Sequence, residues 1–368
     1  MKKVVRFFKN NAVFSIALVA MLITSFIVPP DKLYASYFDF KTLTCLFCVL
    51  AVVCALKNVD FFYILAKRIV KCFKNIRVCV IALVYITFIG SMLIANDMAL
   101  LTFLPLGFFV LDTTGKRQYM AFTFIMQNIA ANLGGMLTPF GNPQNLYLYT
   151  RFNIPTPEFM QIMLLPFVIS IALITLCCIV FVKSEPLEIV DDDVKLDKKR
   201  TALYLVQFAF SIAIVFRGIP YLLGLVIIPI VLLIFDRKAL KMVDYPLLGT
   251  FAAFFVFSGN MARIEPVREF VGGLLVKNTL VVSTLCCQFI SNVPSAILLS
   301  QFTENYKELL VGVNIGGTGT FIASLASLIT LREYILRDYE NLGKYIKLFC
   351  AFNFGFLAIL LVIMNCVM

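Results

Sequence analysis

The chain has 368 residues, of which 61% are apolar and only 14% carry a charge, and its formal net charge is +11. A soluble globular protein is roughly 45–50% apolar and about 25% charged, so this composition excludes a soluble enzyme, a disordered chain and a secreted disulfide scaffold. Because one membrane crossing takes about 20 apolar residues, the sequence predicts an all-α polytopic membrane protein with about nine full spans.

The first apolar segments are ordinary spans at residues 11–29 and 41–56. The stretch that follows, 58–77, is basic and amphipathic, with several aromatic and aliphatic side chains toward one helical face. This pattern is typical of a helix that lies in the membrane interface. We therefore expect residues 58–77 to lie at the cytoplasmic surface of the membrane.

The next apolar segment, 78–111, is too long for one span and is interrupted at Ala95-Asn96-Asp97. Both of its flanks are basic, so both ends are expected on one side of the membrane, which predicts a re-entrant hairpin. Residues 118–152 then cross outward as a broken helix, because glycines and prolines at 134–143 interrupt it. Residues 158–182 are predicted to cross back.

The second half of the chain begins after a charged stretch at 183–200. Residues 270–303 form another long apolar segment, which is interrupted at Ser291-Asn292-Val293-Pro294 and predicts a second hairpin. Residues 309–331 predict a second broken helix, with its break at Asn314 to Gly319. The remaining predicted spans are 201–216, 219–235, 246–262 and 345–367.

An internal repeat connects these features. The Asn96 tip precedes Asn132-Leu133-Gly134-Gly135, and the Asn292 tip precedes Asn314-Ile315-Gly316-Gly317. The first hairpin is predicted to open from the cytoplasm and the second from outside. We therefore predict two inverted-topology repeats, 1–182 and 219–368, joined by a cytoplasmic linker and connecting span at 183–218. Inverted halves with matching interrupted helices are typical of secondary transporters.

The basic residues indicate the orientation of the chain. Of the 32 Lys and Arg residues, 24 lie in segments predicted on one side of the membrane, and this bias marks the cytoplasmic side. The charge thus reports membrane topology, and no nucleic-acid partner is expected. The prediction is a bacterial cytoplasmic (inner) membrane protein with a cytoplasmic N-terminus and an external C-terminus.

The four interruptions predict the functional site. Irregular backbone at membrane depth is tolerated where it lines a cavity or is buried in protein, so the breaks are expected to converge on one polar cavity near the midplane. The alternative is that they are helix kinks with glycine packing contacts. The candidate substrate- or ion-binding residues are Asn96, Asp97, Asn132, Gly134, Gly135, Thr138, Gly141, Asn142, Asn145, Ser291, Asn292, Asn314, Gly316, Gly317, Thr318 and Thr320.

Asp97 is the single acidic residue placed inside an apolar segment and far from its ends. A carboxylate at membrane depth is costly and marks a functional site by default. We expect Asp97 to carry the coupling ion, H⁺ or Na⁺, with possible Na⁺ coordination by Asn96, Asp97 and Asn292. The structural alternative is a capping acceptor for the second helix of the hairpin, and both roles are compatible.

No cofactor is expected other than the coupling ion. The chain has eleven cysteines and no histidine, and Cys45 and Cys48 form a lone CxxC inside a span, so a zinc site is not predicted. An intramembrane enzyme is disfavoured because the spans lack a second acid, a histidine or a metal set. A channel is disfavoured by inverted broken helices without a charged ring.

These residues resemble the ion transporter superfamily, which includes divalent-anion:sodium symporters, citrate transporters, the arsenite-pump membrane subunit and D-type sodium/proton antiporters. The similarity covers nearly the whole chain. Its most specific parts are Asn96-Asp97-Met98-Ala99-Leu100-Leu101, Asn132-Leu133-Gly134-Gly135-Met136-Leu137-Thr138-Pro139, Gly141-Asn142-Pro143-Gln144-Asn145 and Ser291-Asn292-Val293-Pro294.

The resemblance implies how the tips work. In the symporters each tip carries Ser-Asn-Thr, which binds a substrate carboxylate and helps coordinate sodium. Asn96, Asn292 and Ser291 match that pattern, whereas Ala95, Asp97 and Val293 depart from it. An Asn-Asp tip is closer to the arsenite and sodium/proton branches, since Asp97 would repel a carboxylate unless protonated or paired with a cation. The resemblance also implies a homodimer that works by an elevator movement.

Two transport functions follow as predictions. The first is a secondary active transporter for a small inorganic or organic anion, coupled to H⁺ or Na⁺ and working by alternating access at the two Asn-tipped hairpins. The second is a cation/proton antiporter that exchanges Na⁺ for H⁺ at Asp97. The expected partners are the lipid bilayer and a small ionic substrate.

Overall fold

The computed structural model describes residues 11–187 and 196–368. Regular structure within these ranges consists of α-helices and short 3₁₀ turns, without a β-strand. The predicted N-terminal basic cluster (Lys2, Lys3, Arg6 and Lys9) and the middle of the predicted linker, 188–195, lie outside the described residues. The all-α prediction is confirmed for the described part of the chain.

Eight α-helices lie in the first described range, 11–187, and short turns or single residues separate most of them. They are α1 (Ala12–Ile27), α2 (Phe40–Asn58), α3 (Phe61–Lys71), α4 (Ile76–Ile94), α5 (Asn96–Thr113), α6 (Met120–Gly134), α7 (Pro143–Arg151) and α8 (Thr156–Phe181).

Ten further α-helices follow the linker. They are α9 (Lys198–Val215), α10 (Tyr221–Phe235), α11 (Arg237–Met242), α12 (Tyr245–Arg263), α13 (Glu265–Lys277), α14 (Thr279–Ile290), α15 (Asn292–Leu299), α16 (Tyr306–Ile315), α17 (Leu325–Ile335) and α18 (Leu342–Val367).

Several of these helices are suited to a membrane. Among the described residues, α2, α4, α8, α12 and α18 are each long and apolar enough to cross a bilayer, and three shorter apolar helices accompany them. The outer surface is apolar as well, since Val226 and Ile234 on α10 are 55% and 69% exposed. Such a surface is stable against lipid rather than water. The protein is therefore a polytopic membrane protein, and the predicted count of nine spans stays a prediction.

The first predicted hairpin is formed by α4 and α5, which are joined by the single residue Ala95. The outer ends of this pair lie together. The Ile76 N–H at the start of α4 donates to the Glu185 carbonyl (3.0 Å), and Lys116, just past the end of α5, contacts the Glu185 carboxylate (2.6 Å). The two helices therefore run antiparallel, with Ala95 at the tip.

The second predicted hairpin differs from the sequence prediction at its first boundary. The segment 270–303 starts inside α13, and only α14 and α15 form the hairpin, with Ser291 as the single residue between them. The physical reason is Asn278, whose Oδ1 accepts from the Val281 N–H (2.7 Å) and caps a new helix. The amphipathic helix α13 thus precedes the second hairpin just as α3 precedes the first.

The bases of the two hairpins lie at opposite ends of α8. Near the start of α8, Glu158 contacts Lys307 (3.1 Å), and the adjacent Glu308 accepts from the Leu280 N–H at the base of α14 (3.1 Å). Beyond the end of α8, Glu185 contacts the base of the α4–α5 pair. A helix of 26 residues is about 39 Å long, so this distance separates the two bases.

A central bundle holds both tips in place. Helix α6 is buried along almost its whole length and packs against α4 and α5, while α16 packs against α14 and α15 in the same way. A second group of helices flanks this bundle, where α1 packs on α12 and α2 packs on α9 and α10. The two groups meet where α2 contacts α7 and α12 contacts α15.

Candidate functional site

The two hairpin tips share one backbone conformation. Ala95 has φ 65° and ψ 154°, and Ser291 has φ 74° and ψ 158°, a region that residues other than glycine rarely occupy. Each is followed by an asparagine that opens the second helix. Asn96 Oδ1 accepts from the Asp97 N–H (3.0 Å) and Asn292 Oδ1 from the Val293 N–H (2.9 Å). Both asparagines thereby satisfy a free N–H at a helix start.

The breaks in the two discontinuous helices are held by one amide side chain each. Asn145 Nδ2 donates to the carbonyls of Gly135, Met136 and Thr138, at 3.1 to 3.2 Å. At the second break, Gln288 Nε2 donates to the carbonyls of Gly316 (2.9 Å) and Thr318 (3.1 Å). These carbonyls have left the helical ladder, so a buried donor is needed to satisfy them.

Glycine is required at two positions in these breaks. A Cβ atom on Gly141 would collide with the Gly135 carbonyl oxygen, so the chain can fold back on itself only without a side chain there. Gly319 has φ +111°, and a Cβ there would collide with Gln288 Oε1. Both glycines therefore allow backbone turns that other residues could not form.

A chain of buried amides connects the first tip to both breaks. Asn96 Nδ2 donates to Asn132 Oδ1 (3.3 Å), and Asn142 Nδ2 donates to Asn314 Oδ1 (3.3 Å) and to the Asn132 carbonyl (3.3 Å). Asn314 Nδ2 in turn donates to Asn145 Oδ1 (2.6 Å). The second tip joins the second break through its backbone, since the Asn292 N–H donates to the Ala323 carbonyl (2.9 Å). The four interruptions are therefore in direct contact.

A cavity of about 270 Å³ opens beside these contacts, and four helix N-termini reach it. Asn96, Pro143, Asn292 and Leu325, the first residues of α5, α7, α15 and α17, all line it. Helix N-termini carry partial positive charge and free N–H groups, which favour a bound anion. The convergence of four such ends can hold a small anion without a dense set of cationic side chains.

The same cavity also presents oxygen atoms that lack partners. Within the described residues, Asp97 Oδ1 and Gln144 Oε1 line the cavity, are buried and accept no hydrogen bond. A buried acceptor without a donor is costly, and carboxylate and amide oxygens are ligands for hard cations. The Asp97 carboxylate accepts no hydrogen bond from the described N–H groups of α5, so the capping hydrogen bond of the alternative interpretation is not formed there.

The candidate site residues fall into two groups. Asn96, Asp97, Ser291 and Asn292 line the cavity. The others form the frame around it, and several of their side chains donate to backbone carbonyls. Asn145 donates to three carbonyls of the first break. Thr138 Oγ1 donates to the Met92 carbonyl (2.9 Å), and Thr320 Oγ1 donates to the Gln288 carbonyl (3.0 Å). The frame residues are Asn132, Gly134, Gly135, Thr138, Gly141, Asn142, Asn145, Asn314, Gly316, Gly317, Thr318 and Thr320.

The sequence-based candidate list omits several polar groups of the cavity. Asp244 and Thr250 on the α12 side and Arg332 on α17 line its wall. Asp244 and Arg332 lie at helix ends, where charge indicates topology rather than a site. Among the described residues, no group of three or more histidine, cysteine or acidic side chains is placed to hold a metal ion.

A second cavity, of about 590 Å³, lies toward the other end of the same helices. Arg151 on α7 and Phe255 on α12 line it, whereas the starts of α7 and α12 line the first cavity. The buried Tyr147 separates the two, since its ring lies 5.6 Å from Phe255 and its hydroxyl 2.8 Å from Ser300 Oγ. The site cavity is therefore closed toward Arg151 and opens toward Asp244 and Arg332.

Interrupted helices whose ends meet at one cavity, in a polytopic helical protein, are typical of a membrane transporter. The chain belongs to the citrate transporter family, whose model matches residues 5–308. It is 35% identical to an uncharacterized transporter of Methanocaldococcus jannaschii over 80% of this chain and 81% of the relative. It is 27% identical to the inner membrane protein YbiR of Escherichia coli over 89% of each chain. The predicted superfamily membership is confirmed.

Proposed function

We propose that this protein is a secondary active transporter that moves a small inorganic or organic anion together with, or in exchange for, a coupling H⁺ or Na⁺. The observation that carries the proposal is the cavity itself, which four helix N-termini and Asp97 line together. The N-termini favour an anion, and the unpartnered oxygens of Asp97 and Gln144 favour a cation beside it. Binding both ions at once keeps the loaded cavity close to neutral.

Two features support alternating access by inverted repeats. The bases of the two hairpins lie at opposite ends of α8, which is the arrangement that inverted halves require. The flanking helices also pair symmetrically, because α1 packs on α12 as α10 packs on α2. In this proposal the repeats are 1–182 and 219–368, with α9 as the connecting span. The open cavity then faces the basic, cytoplasmic side, and Tyr147 closes the external path.

A cation/proton antiporter is the second candidate, and the charges in the cavity favour it. Asp97 and Asp244 give the lining two acidic groups, against the single cation Arg332 among its described residues. An acidic cavity attracts cations and disfavours a multiply charged anion. In this case Asp97 would bind Na⁺ and H⁺ in turn, and the helix N-termini would be neutralised by the carboxylates.

The proposed location is a cytoplasmic membrane, with a cytoplasmic N-terminus and an external C-terminus. The name of the Escherichia coli relative supports the location for that protein, and the basic clusters support the orientation here. We further propose a homodimer, as the family resemblance implies. Transport rather than intramembrane catalysis is favoured by the family and by the Methanocaldococcus relative.

Uptake by proteoliposomes tests the proposal. The purified protein would be reconstituted and offered labelled citrate, succinate, phosphate, sulfate, arsenite and ²²Na⁺, each with an imposed pH gradient, an imposed Na⁺ gradient or neither. Accumulation of an anion only with a gradient supports the first function. Accumulation of ²²Na⁺ driven by a pH gradient alone, with no anion moved, supports the antiporter. Channel-like currents without any counter-substrate would contradict both.

A further inference from the structure

Asp244 brings a second carboxylate to the cavity from the helix group that flanks the central bundle. It precedes α12, and its Oδ1 accepts from the Leu247 N–H (2.9 Å), so the residue caps that helix. Asp97, in the first turn of α5, lines the same cavity.

The side chain of Gln144 independently indicates which kind of ligand the cavity binds. Gln144 is only 1% exposed and lines the cavity. Its Nε2 donates to Asn314 Oδ1 (3.3 Å), which leaves Oε1 without a partner among the described residues. Leaving a buried amide oxygen unsatisfied is costly unless a ligand binds there. An acceptor held in this way beside Asp97 fits a small hard cation.

The one described cation of the lining does not neutralise this arrangement. Arg332 lies on α17 and is exposed at the cavity mouth. Within the described part of the chain it forms no ion pair, with Asp244 or with any other acidic side chain. Among the described residues, the lining of the cavity thus holds the two carboxylates of Asp97 and Asp244 and no cation paired with either, so a cation that enters the cavity meets both acidic groups.

We propose that Asp244 is a ligand of the coupling cation, which it holds at the cavity mouth together with Asp97 and Gln144 as the ion enters or leaves. This inference rests on the proposed function and adds a residue outside the two hairpins and the broken helices. Because α12 belongs to the flanking group and α5 to the central bundle, the cation bridges the two groups in the open state. Movement of one group relative to the other would then remove Asp244 from the ion.

Charge displacement on a solid-supported membrane tests this without a known substrate. Proteoliposomes would receive a rapid jump in NaCl against choline chloride, or a jump in pH, and the displaced charge would be measured against ion concentration. Asp244→Asn removes the charge and keeps the helix cap, since asparagine caps as well as aspartate. We expect the ion concentration for half-maximal displacement to rise roughly tenfold, and Asp244→Glu to recover most of the loss.

Asp197→Asn is the matched control. Asp197 caps α9 through the Arg200 N–H (3.2 Å) and does not line the described cavity, so this variant should keep the wild-type midpoint. If Asp244→Asn also keeps the wild-type ion concentration for half-maximal displacement, the role of Asp244 as a ligand is overturned. The proposed function would still stand in that case if Asp97→Asn lost the charge displacement. If the wild-type protein displaces no charge in either jump, the coupling ion and this inference fail together.

Discussion

The two hairpin tips have the same backbone but different chemistry. Ala95 and Ser291 share one rare conformation, and Asn96 and Asn292 each accept from the next backbone N–H. The residue that provides this N–H is Asp97 at the first tip and the apolar Val293 at the second. Both tips thus point a helix N-terminus at the cavity, while only the first supplies a charge.

This difference separates two tasks. The shared backbone supplies partial positive charge at both tips, and that is sufficient to hold an anion. The single carboxylate can hold a cation, and placing it on one tip couples that cation to one half of the protein. The comparison therefore predicts that changes to the shared asparagines act alike at both tips, whereas a change at Asp97 affects coupling alone.

The largest expected effect is the loss of transport in Asn96→Ala and in Asn292→Ala. Each change removes an amide that lines the cavity, and alanine fits the space sterically. We expect the initial rate of uptake of the transported ion to fall at least about tenfold in both variants, with little loss of folded protein by size-exclusion chromatography. Asn341→Ala, in a surface loop, is the control. Normal uptake by both tip variants would make the tips packing features.

The comparison also requires the tips to enter the membrane from opposite sides. Lys74 and Lys116 flank the first pair of helices and should be cytoplasmic, whereas Arg268 and Lys307 flank the second pair and should be external. Single cysteines at these positions, in a cysteine-free background, would be labelled with a membrane-impermeant maleimide in cells and in inverted vesicles. Labelling of positions 74 and 116 from opposite faces would show that α4 and α5 cross the membrane and would end the inverted-repeat proposal.

A smaller effect is expected on stability when the strained residue at each tip, Ala95 or Ser291, is replaced by glycine. The backbone conformation of Ala95 and Ser291 costs about 1–3 kcal/mol for a residue other than glycine. Ala95→Gly should therefore raise stability by about 1 kcal/mol. Ser291→Gly should gain less, because it loses the hydrogen bond from Ser291 Oγ to the Ala323 carbonyl (3.3 Å). Thermal unfolding followed with a thiol-reactive dye, which reports the buried cysteines, measures both, and a lower stability for Ala95→Gly would contradict the assignment of strain.

The smallest effect concerns the base of the first hairpin. The hydrogen bond from Lys116 holds the pKa of Glu185 below its ordinary value. A lowered pKa adds stability above the unfolded-state value of about 4.3, and this stability is lost as pH falls through the folded-state value. Glu185→Gln should lower the midpoint of thermal unfolding by about 1 °C at pH 7 and by less at pH 3, as measured by circular dichroism. An equal loss at both pH values would show that the charge is irrelevant.

Local patterns made much of the fold predictable. An asparagine in the middle of an overlong apolar segment located both tips, because a polar group at membrane depth must end a helix or line a cavity. The same logic located the breaks after Gly134 and after Ile315. The first boundary of the second hairpin differed from the prediction. In the sequence Asn278 is an ordinary polar residue, and only the capping hydrogen bond in the structure shows that a new helix starts there.

The site was less predictable than the fold, for two physical reasons. Thr138, Asn145 and Thr320 were predicted as ligands from their types, and the structure shows that each also donates to backbone. Asn145 donates to carbonyls of the first break, whereas Thr138 and Thr320 donate to carbonyls of the hairpin helices α4 and α14. Their role as ligands stays a prediction. Asp244 and Arg332 reach the cavity only because α12 and α17 pack around it. That packing brings together residues that are far apart in sequence, and a local sequence pattern cannot predict such contacts.

The central claim is that Asp97 carries the coupling ion. The most direct measurement compares gradient-driven accumulation with exchange at zero gradient in proteoliposomes that contain Asp97→Asn, which keeps the shape of the protonated side chain but cannot bind and release a cation. The account predicts that this variant folds and exchanges substrate, yet does not concentrate it when a pH or Na⁺ gradient is imposed. Full gradient-driven accumulation by Asp97→Asn would contradict the account and leave Asp97 without a role in coupling.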